Sequence, residues 1–263
     1  MHTTSEQIIE ADTEILCLFC LFFPFSLIFL FSLVILYLKI AIFVGRKSLY
    51  PTEMHIVIAG NIGSGKTTLT NMLAQHYGWK AQFEAVDYNP YLEDYYKDIP
   101  RWSFNLEVYF LKQRFRDLLE LAKSTETIIQ DRSIYEGVYV FTTNNHRMGN
   151  LSDRDFETYM ELFEQMTDIL RYPDLMIYLR ASVPHLVANI QKRGRDYEQS
   201  MPIDYLRNLN HLYEDFVYEK YRGRMLAIDV DNLDFQHRSE DFAHIIDRID
   251  TTLFGLFPEG EGI

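Results

Sequence analysis

Hydrophobic residues fall into two regimes along this chain. From Ile15 to Leu38 no charged residue interrupts the run. From Met54 onward, short apolar runs alternate with longer segments of helical spacing. The strand-like runs are Met54 to Ala59, Lys80 to Val86, Thr127 to Gln130, Asp174 to Ala181 and Met225 to Val230. Helical spacing covers Thr67 to Tyr77, Arg101 to Lys123, Ser152 to Leu170, Pro184 to Lys192, Pro202 to Tyr221 and Ser239 to Phe254. Ser152 suits an N-cap with Asp153 and Asp155 in the first turn, and Pro202 suits a helix's first turn. The stretch from Asn144 to Gly149 reads as a loop between helices. Alternating strands and helices imply an α/β domain whose parallel sheet carries helices on both faces. Ligands in such sheets gather beyond the carboxyl ends of the strands.

The apolar N-terminal run has two readings. At about 1.5 Å per residue, a helix over Ile15 to Leu38 covers the roughly 30 Å core of a bilayer. Glu6, Glu10, Asp12 and Glu14 precede it and Lys39, Arg46 and Lys47 follow it, which places the remainder in the cytoplasm. Pro24 is tolerable in such a single-pass anchor, and the acidic leader and long run do not fit a signal peptide. Alternatively Met54, at the start of the first strand, is itself the initiator, and residues 1–53 are an upstream stretch. Either way the chain divides into 1–53 and a domain over 54–263.

Charge and cysteine content narrow the chemistry. A net charge of −13 with no Lys/Arg run argues against a sequence-independent grip on nucleic acid. Both cysteines, Cys17 and Cys20, lie in the apolar N-terminal run, where they read as small apolar residues. The domain itself has no thiol, which fits a reducing cytosol.

Gly60-Asn61-Ile62-Gly63-Ser64-Gly65-Lys66-Thr67 fits the phosphate-cradling pattern GxxxxGK[ST]. It lies between an apolar strand and a helix, as its mechanism requires. Its glycines let backbone N–H groups turn toward phosphates at a helix N-terminus, where the macrodipole favours negative charge. Lys66 then reaches the β- and γ-phosphates, and Thr67 holds Mg²⁺. Phosphoryl transfer to a hydroxyl also needs a base, a metal partner and a cationic clamp. Glu84, ending the second strand, supplies the base; Asp131 and Arg132, ending the third, supply metal partner and clamp. Arg193 and Arg195, hinged by Gly194, read as a mobile lid over the triphosphate, or as a basic helix terminus complementing the dipole.

Taken together, the loop Gly60 to Thr68, Phe83-Glu84 with Asn89-Pro90-Tyr91-Leu92, Arg101-Trp102-Ser103-Phe104, Asp131-Arg132-Ser133-Ile134-Tyr135 and Lys192-Arg193-Gly194-Arg195 resemble the deoxyribonucleoside kinase family. The bacterial members are the most similar, over Met54 to Phe257. The resemblance implies a three-layer P-loop kinase fold with a five-stranded parallel sheet flanked by helices, assembled as a homodimer. It implies transfer of the γ-phosphoryl group of ATP to the 5′-hydroxyl of a deoxyribonucleoside. Glu84 matches the activating carboxylate, Asp131 the acid near Mg²⁺ and Arg132 the catalytic arginine. Tyr96 and Asp204 match the positions holding the sugar 3′-hydroxyl, and Asp231 to Phe235 the loop contacting adenine. Trp102 and Tyr109 fit either a substrate wall or plain core.

Base recognition departs from the family pattern. Glu107 stands where Gln is common, Arg114 matches the usual arginine, and Gly137 replaces an acid that many members pair with it. A carboxylate only accepts hydrogen bonds, so Glu107 favours base edges rich in donors, those of guanine and adenine. Glu107 alternatively supplies the counter-charge missing at Gly137. The expectation is a purine deoxynucleoside. A thymidylate-type nucleotide kinase is disfavoured because Glu84 would repel an ionised phosphate acceptor. A membrane-anchored nucleotide-binding regulator lacks its N-K-x-D, D-x-x-G or L-S-G-G-Q motifs here.

Overall fold

The computed structural model describes residues 53–83, 89–194 and 202–255. Five strands form one sheet: β1 His55–Gly60, β2 Lys80–Gln82, β3 Ile128–Asp131, β4 Leu175–Arg180 and β5 Met225–Asp229. Every neighbouring pair is parallel, in the order β2-β3-β1-β4-β5. Parallel neighbours require crossovers, which helices supply on both faces. They are α1 Lys66–Tyr77, α2 Leu92–Lys97, α3 Ile99–Leu121, α4 Ile134–Glu136, α5 Thr143–Arg147, α6 Asp153–Thr167, α7 Val183–Arg193, α8 Ile203–Asp215 and α9 Ser239–Phe254.

The pleat sorts the apolar residues into two cores. Ile56, Ile58, Ile177 and Leu179 turn to one face, where Leu69 and Leu73 of α1 and Ile245 and Ile249 of α9 cover them. Ala59, Met176 and Tyr178 turn to the other, under Leu111 of α3, Tyr159 and Phe163 of α6 and Leu209 and Tyr213 of α8. The three-layer expectation holds. β1 lies centrally with all of its residues buried, so everything that follows its carboxyl end starts from a rigid base. The strand order reverses about β1, which opens a crevice at the ends of β1 and β3.

Element edges mostly follow the sequence pattern. Ser152 caps α6 by accepting from the Asp155 amide at 3.2 Å, as its spacing predicts. α3 starts earlier than its periodicity suggests, because Asp98 accepts from the Arg101 amide and Pro100 occupies the first turn. The pattern expected over Pro202 to Tyr221 is α-helical only to Asp215 and then continues as a π-helical turn, Phe216–Lys220. The stretch from Asn144 to Gly149, expected as a loop, is helical to Arg147 and turns only at Met148 and Gly149: α4 runs into a π-helical stretch, Gly137–Thr142, and then α5. Wider i→i+5 bonding breaks the 3.6-residue period on which a sequence reading depends. Thr142 and Thr143 reinforce it by donating their hydroxyls to the carbonyls of Gly137 and Val138, five residues back.

No helix among the described residues is long and apolar enough to cross a membrane. The apolar run of residues 15–38 and the expected strand positions 84–86 lie outside the described residues.

Candidate active site

The phosphate loop leaves β1 at Gly60 and enters α1 at Lys66. Gly63 and Gly65 take φ of 85° and 92°, a left-handed backbone open mainly to glycine. At Gly65 a Cβ would also press on the Phe235 ring, 3.0 Å away. Phe235, at the end of the segment Asp231 to Phe235, is thus buried against the phosphate loop. Asp231 accepts from the Ser182 amide at 2.8 Å, fastening that segment to the start of α7.

Side-chain amides hold the loop open. Asn61 donates to the Leu206 carbonyl at 3.1 Å and to Asn210 Oδ1 at 2.5 Å, while its own Oδ1 accepts from the Ile62 amide at 2.7 Å. Asn189 of α7 donates to the Gly63 carbonyl at 2.8 Å. Lys66 is buried and donates to the Asn61 carbonyl at 2.9 Å, so its ammonium lies inside the cradle. Ser64 is buried as well, and among the described residues its hydroxyl finds no hydrogen-bond partner. Thr68 follows Thr67 in the first turn of α1.

The end of β3 meets this loop. Ile58 of β1 pairs with Asp131, and the Ile58 carbonyl accepts from the Arg132 amide at 3.0 Å. That register puts Asp131 Oδ2 2.5 Å from Thr67 Oγ1, the donor. Two oxygen ligands of this kind form a hard donor set suited to Mg²⁺. Arg132 has φ 75°, the one positive value for a non-glycine among the described residues. Its guanidinium stacks over Phe141, 4.4 Å from the ring centroid.

A cleft next to these groups is lined by Phe83, Phe110, Gln113, Arg114, Asp131 and Arg132. Arg114, buried on α3, lies over the Phe110 ring at 5.3 Å. Gly137 faces its guanidinium so closely that a Cβ there would collide with Nη1. Two turns earlier on the same face of α3, Glu107 is buried and accepts from Asn145 Nδ2 at 2.8 Å and Thr142 Oγ1 at 2.9 Å. Asn145 Oδ1 in turn accepts from Asn150 at 3.2 Å and the Tyr95 hydroxyl at 3.4 Å. Burial raises the Tyr159 hydroxyl pKa; the Glu107 charge adds to the rise, while Thr142 and Arg114 oppose it.

Thr142 and Asn145 were not legible as site residues, because no local pattern ties them to Glu107. The Ser133–Glu136 pair carries a readable signal, the S-x-x-E capping box, which is formed in full.

Not every expected residue converges on the cleft. Asp204 is exposed in the first turn of α8, where it pairs with Arg207. Arg193 ends α7 as an exposed residue before the left-handed Gly194. Glu84, Arg195 and the side chain of Tyr96 lie outside the described residues. Trp102 packs beside Tyr91 and under Arg101, and Tyr109 lies against Tyr91 and Lys112, which makes an aromatic wall at the start of α3.

Comparison with known proteins bears on this geometry. A family model for deoxynucleoside kinase matches residues 56–254. The chain is 35% identical over 201 residues to a deoxyadenosine/deoxycytidine kinase of Bacillus subtilis, spanning 76% of this chain and 93% of that one. It is 38% identical over 176 residues to a deoxyadenosine kinase of Dictyostelium discoideum, spanning 67% and 71%. Among solved structures, the deoxyadenosine kinase of M. mycoides with bound dATP superposes with a TM-score of 0.67 at 30% identity, covering 75% of this chain and all of that one. With its strand order and phosphate loop in place, the chain belongs to the deoxynucleoside kinase family.

Proposed function

We propose that this enzyme transfers the γ-phosphoryl group of ATP to the 5′-hydroxyl of a purine deoxynucleoside, with Mg²⁺. The observation that carries this reading is the 2.5 Å contact between Thr67 and Asp131, which joins the phosphate loop to the Asp131-Arg132 turn at one edge of the sheet. The relatives that act on deoxyadenosine and deoxyguanosine support the purine class.

Lys66 and the loop amides bind the triphosphate, and Arg132 faces the charge that develops on the transferred group. Thr67 and Asp131 would hold Mg²⁺, which would supply positive charge to offset that on the triphosphate. Glu84 takes the 5′-hydroxyl proton, since a neutral hydroxyl needs a base to attack. Tyr96 and Asp204 hold the sugar, and Arg193 and Arg195 close over the phosphates. Asp231 and Phe235 border the adenine of ATP.

At the base, Glu107 and Arg114 recognise the purine edge. Both Glu107 oxygens already accept protein donors, which fixes the carboxylate's orientation. The enzyme works as a homodimer. Assay of the four natural deoxynucleosides with ATP and Mg²⁺ tests the reading. Preference for deoxyadenosine or deoxyguanosine supports it, and use of thymidine alone contradicts it.

A further inference from the structure

Glu136 is fully buried and follows the Asp131-Arg132-Ser133 turn within one helical turn. Its carboxylate accepts three hydrogen bonds from three different elements. The Ser133 amide donates to Oε2 at 2.7 Å, the Gly60 amide to Oε1 at 3.3 Å, and the Tyr213 hydroxyl to Oε1 at 2.9 Å. Gly60 opens the phosphate loop, Ser133 adjoins Arg132, and Tyr213 comes from α8. A capping box alone needs only the Ser133 bond. The second oxygen therefore does something a cap does not require: it reaches across the sheet to β1.

The Arg132 turn shows why that reach matters. A left-handed non-glycine residue is strained and persists only where its surroundings over-determine it. Here the Arg132 amide is fixed by Ile58 of β1, and the next amide, Ser133, is fixed by Glu136. The Tyr213 hydroxyl senses the same charges: burial raises its pKa most, the Glu136 charge raises it further, and Arg132 lowers it.

We infer that Glu136 is a positioning residue for phosphoryl transfer, whose carboxylate ties the Arg132 turn to the first amide of the phosphate loop. It touches neither substrate. It holds the guanidinium and the loop amides in fixed relation, so that neither has to reorganise as charge develops. This inference rests on Arg132 and the phosphate loop acting as proposed above.

Four variants test it, each read by steady-state kinetics and thermal unfolding. Glu136→Gln keeps the shape but points an NH₂ donor at other donors, and Tyr213→Phe removes one donor alone. Glu136→Gln is expected to lower kcat roughly 10- to 100-fold with the nucleoside KM within about twofold, as for a group acting only in the transition state. Tyr213→Phe should lower kcat about 3- to 10-fold in the same manner, and the two effects should combine less than additively because they share one contact. Glu136→Asp retains the charge and should recover part of the lost kcat. Wild-type kcat in both Glu136→Gln and Tyr213→Phe overturns the inference, as does a loss explained wholly by the unfolded fraction. Should Glu136→Gln not fold, the kcat of Tyr213→Phe decides alone. Arg132→Ala separates the two levels: retained turnover there defeats the role given to Arg132, whereas lost turnover with unaffected Glu136 and Tyr213 variants defeats only the inference about Glu136.

Discussion

Asn145 donates its side-chain amide to Glu107 at 2.8 Å, joining the short helix after the π-helical stretch to the middle of the long helix α3. With Thr142 on the other oxygen, the carboxylate is held by two donors in a buried setting. Removing one partner there leaves a buried polar group unsatisfied, at a cost of about 1–3 kcal/mol. Asn145→Ala should therefore lower the melting temperature and raise the nucleoside KM more than the ATP KM. Glu107→Gln can still accept from Asn145 with its carbonyl and donate its NH₂ to the Thr142 hydroxyl, which keeps its own proton for the Gly137 carbonyl, so it should leave the melting temperature nearly unchanged while shifting the base preference. Thermal unfolding and a nucleoside panel measured on both variants check this; an unchanged panel for Glu107→Gln would falsify the role in base selection.

Gly137 leaves room for the Arg114 guanidinium, and a methyl group there collides with it. In a helical backbone Gly→Ala normally stabilises by about 0.4–1 kcal/mol. At this site the gain is offset by displacement of Arg114. Gly137→Ala is expected to leave the melting temperature nearly unchanged and to raise the nucleoside KM several-fold. An unaltered KM would show that Arg114 does not border the nucleoside.

Thr67 and Asp131, which touch each other, are the proposed Mg²⁺ ligands. Asp131→Asn keeps the size and a hydrogen-bonding oxygen but removes the charge that attracts a hard cation. The Mg²⁺ concentration for half-maximal activity should rise and kcat should fall by roughly 100-fold, the scale for losing one transition-state electrostatic contact. Titrating Mg²⁺ at saturating ATP measures both; an unchanged Mg²⁺ dependence removes Asp131 from the metal site.

His55 adds a pH dependence to stability. Burial holds its pKa below the ordinary 6.5, partly opposed by its hydrogen bond to Gln130 and by the Asp174 charge. Below about pH 6.5 the unfolded chain takes up a proton that the folded chain still refuses, so unfolding becomes easier as pH falls toward the folded pKa. Above 6.5 the histidine is neutral in both states and contributes no slope. The melting temperature should therefore drop between pH 7 and pH 5 more steeply for the wild type than for His55→Gln. Parallel curves would assign the slope to other groups.

The sequence displayed the donor half of the site more fully than the acceptor half. Gly60 to Thr67 is contiguous, and its strand and helix flanks are visible as apolar runs. Asp131 and Arg132 were also legible, because they end a strand at the edge where such sheets bind ligands. The network around Glu107 was not. Its partners lie 35 and 38 residues away, in a segment where π-helical bonding and β-branched Val138, Val140, Thr142 and Thr143 erase the usual helical period. The reach of Glu136 to Gly60 spans 76 residues and depends on the β1–β3 register, which no local pattern reveals.

The identity of the acceptor is the most direct test of the proposed function. Initial rates with ATP and Mg²⁺ should be compared for deoxyadenosine, deoxyguanosine, deoxycytidine, thymidine and the corresponding 5′-monophosphates. A purine deoxynucleoside should be phosphorylated fastest, with its monophosphate turned over far more slowly. Faster phosphorylation of a monophosphate, or turnover confined to thymidine, would contradict it.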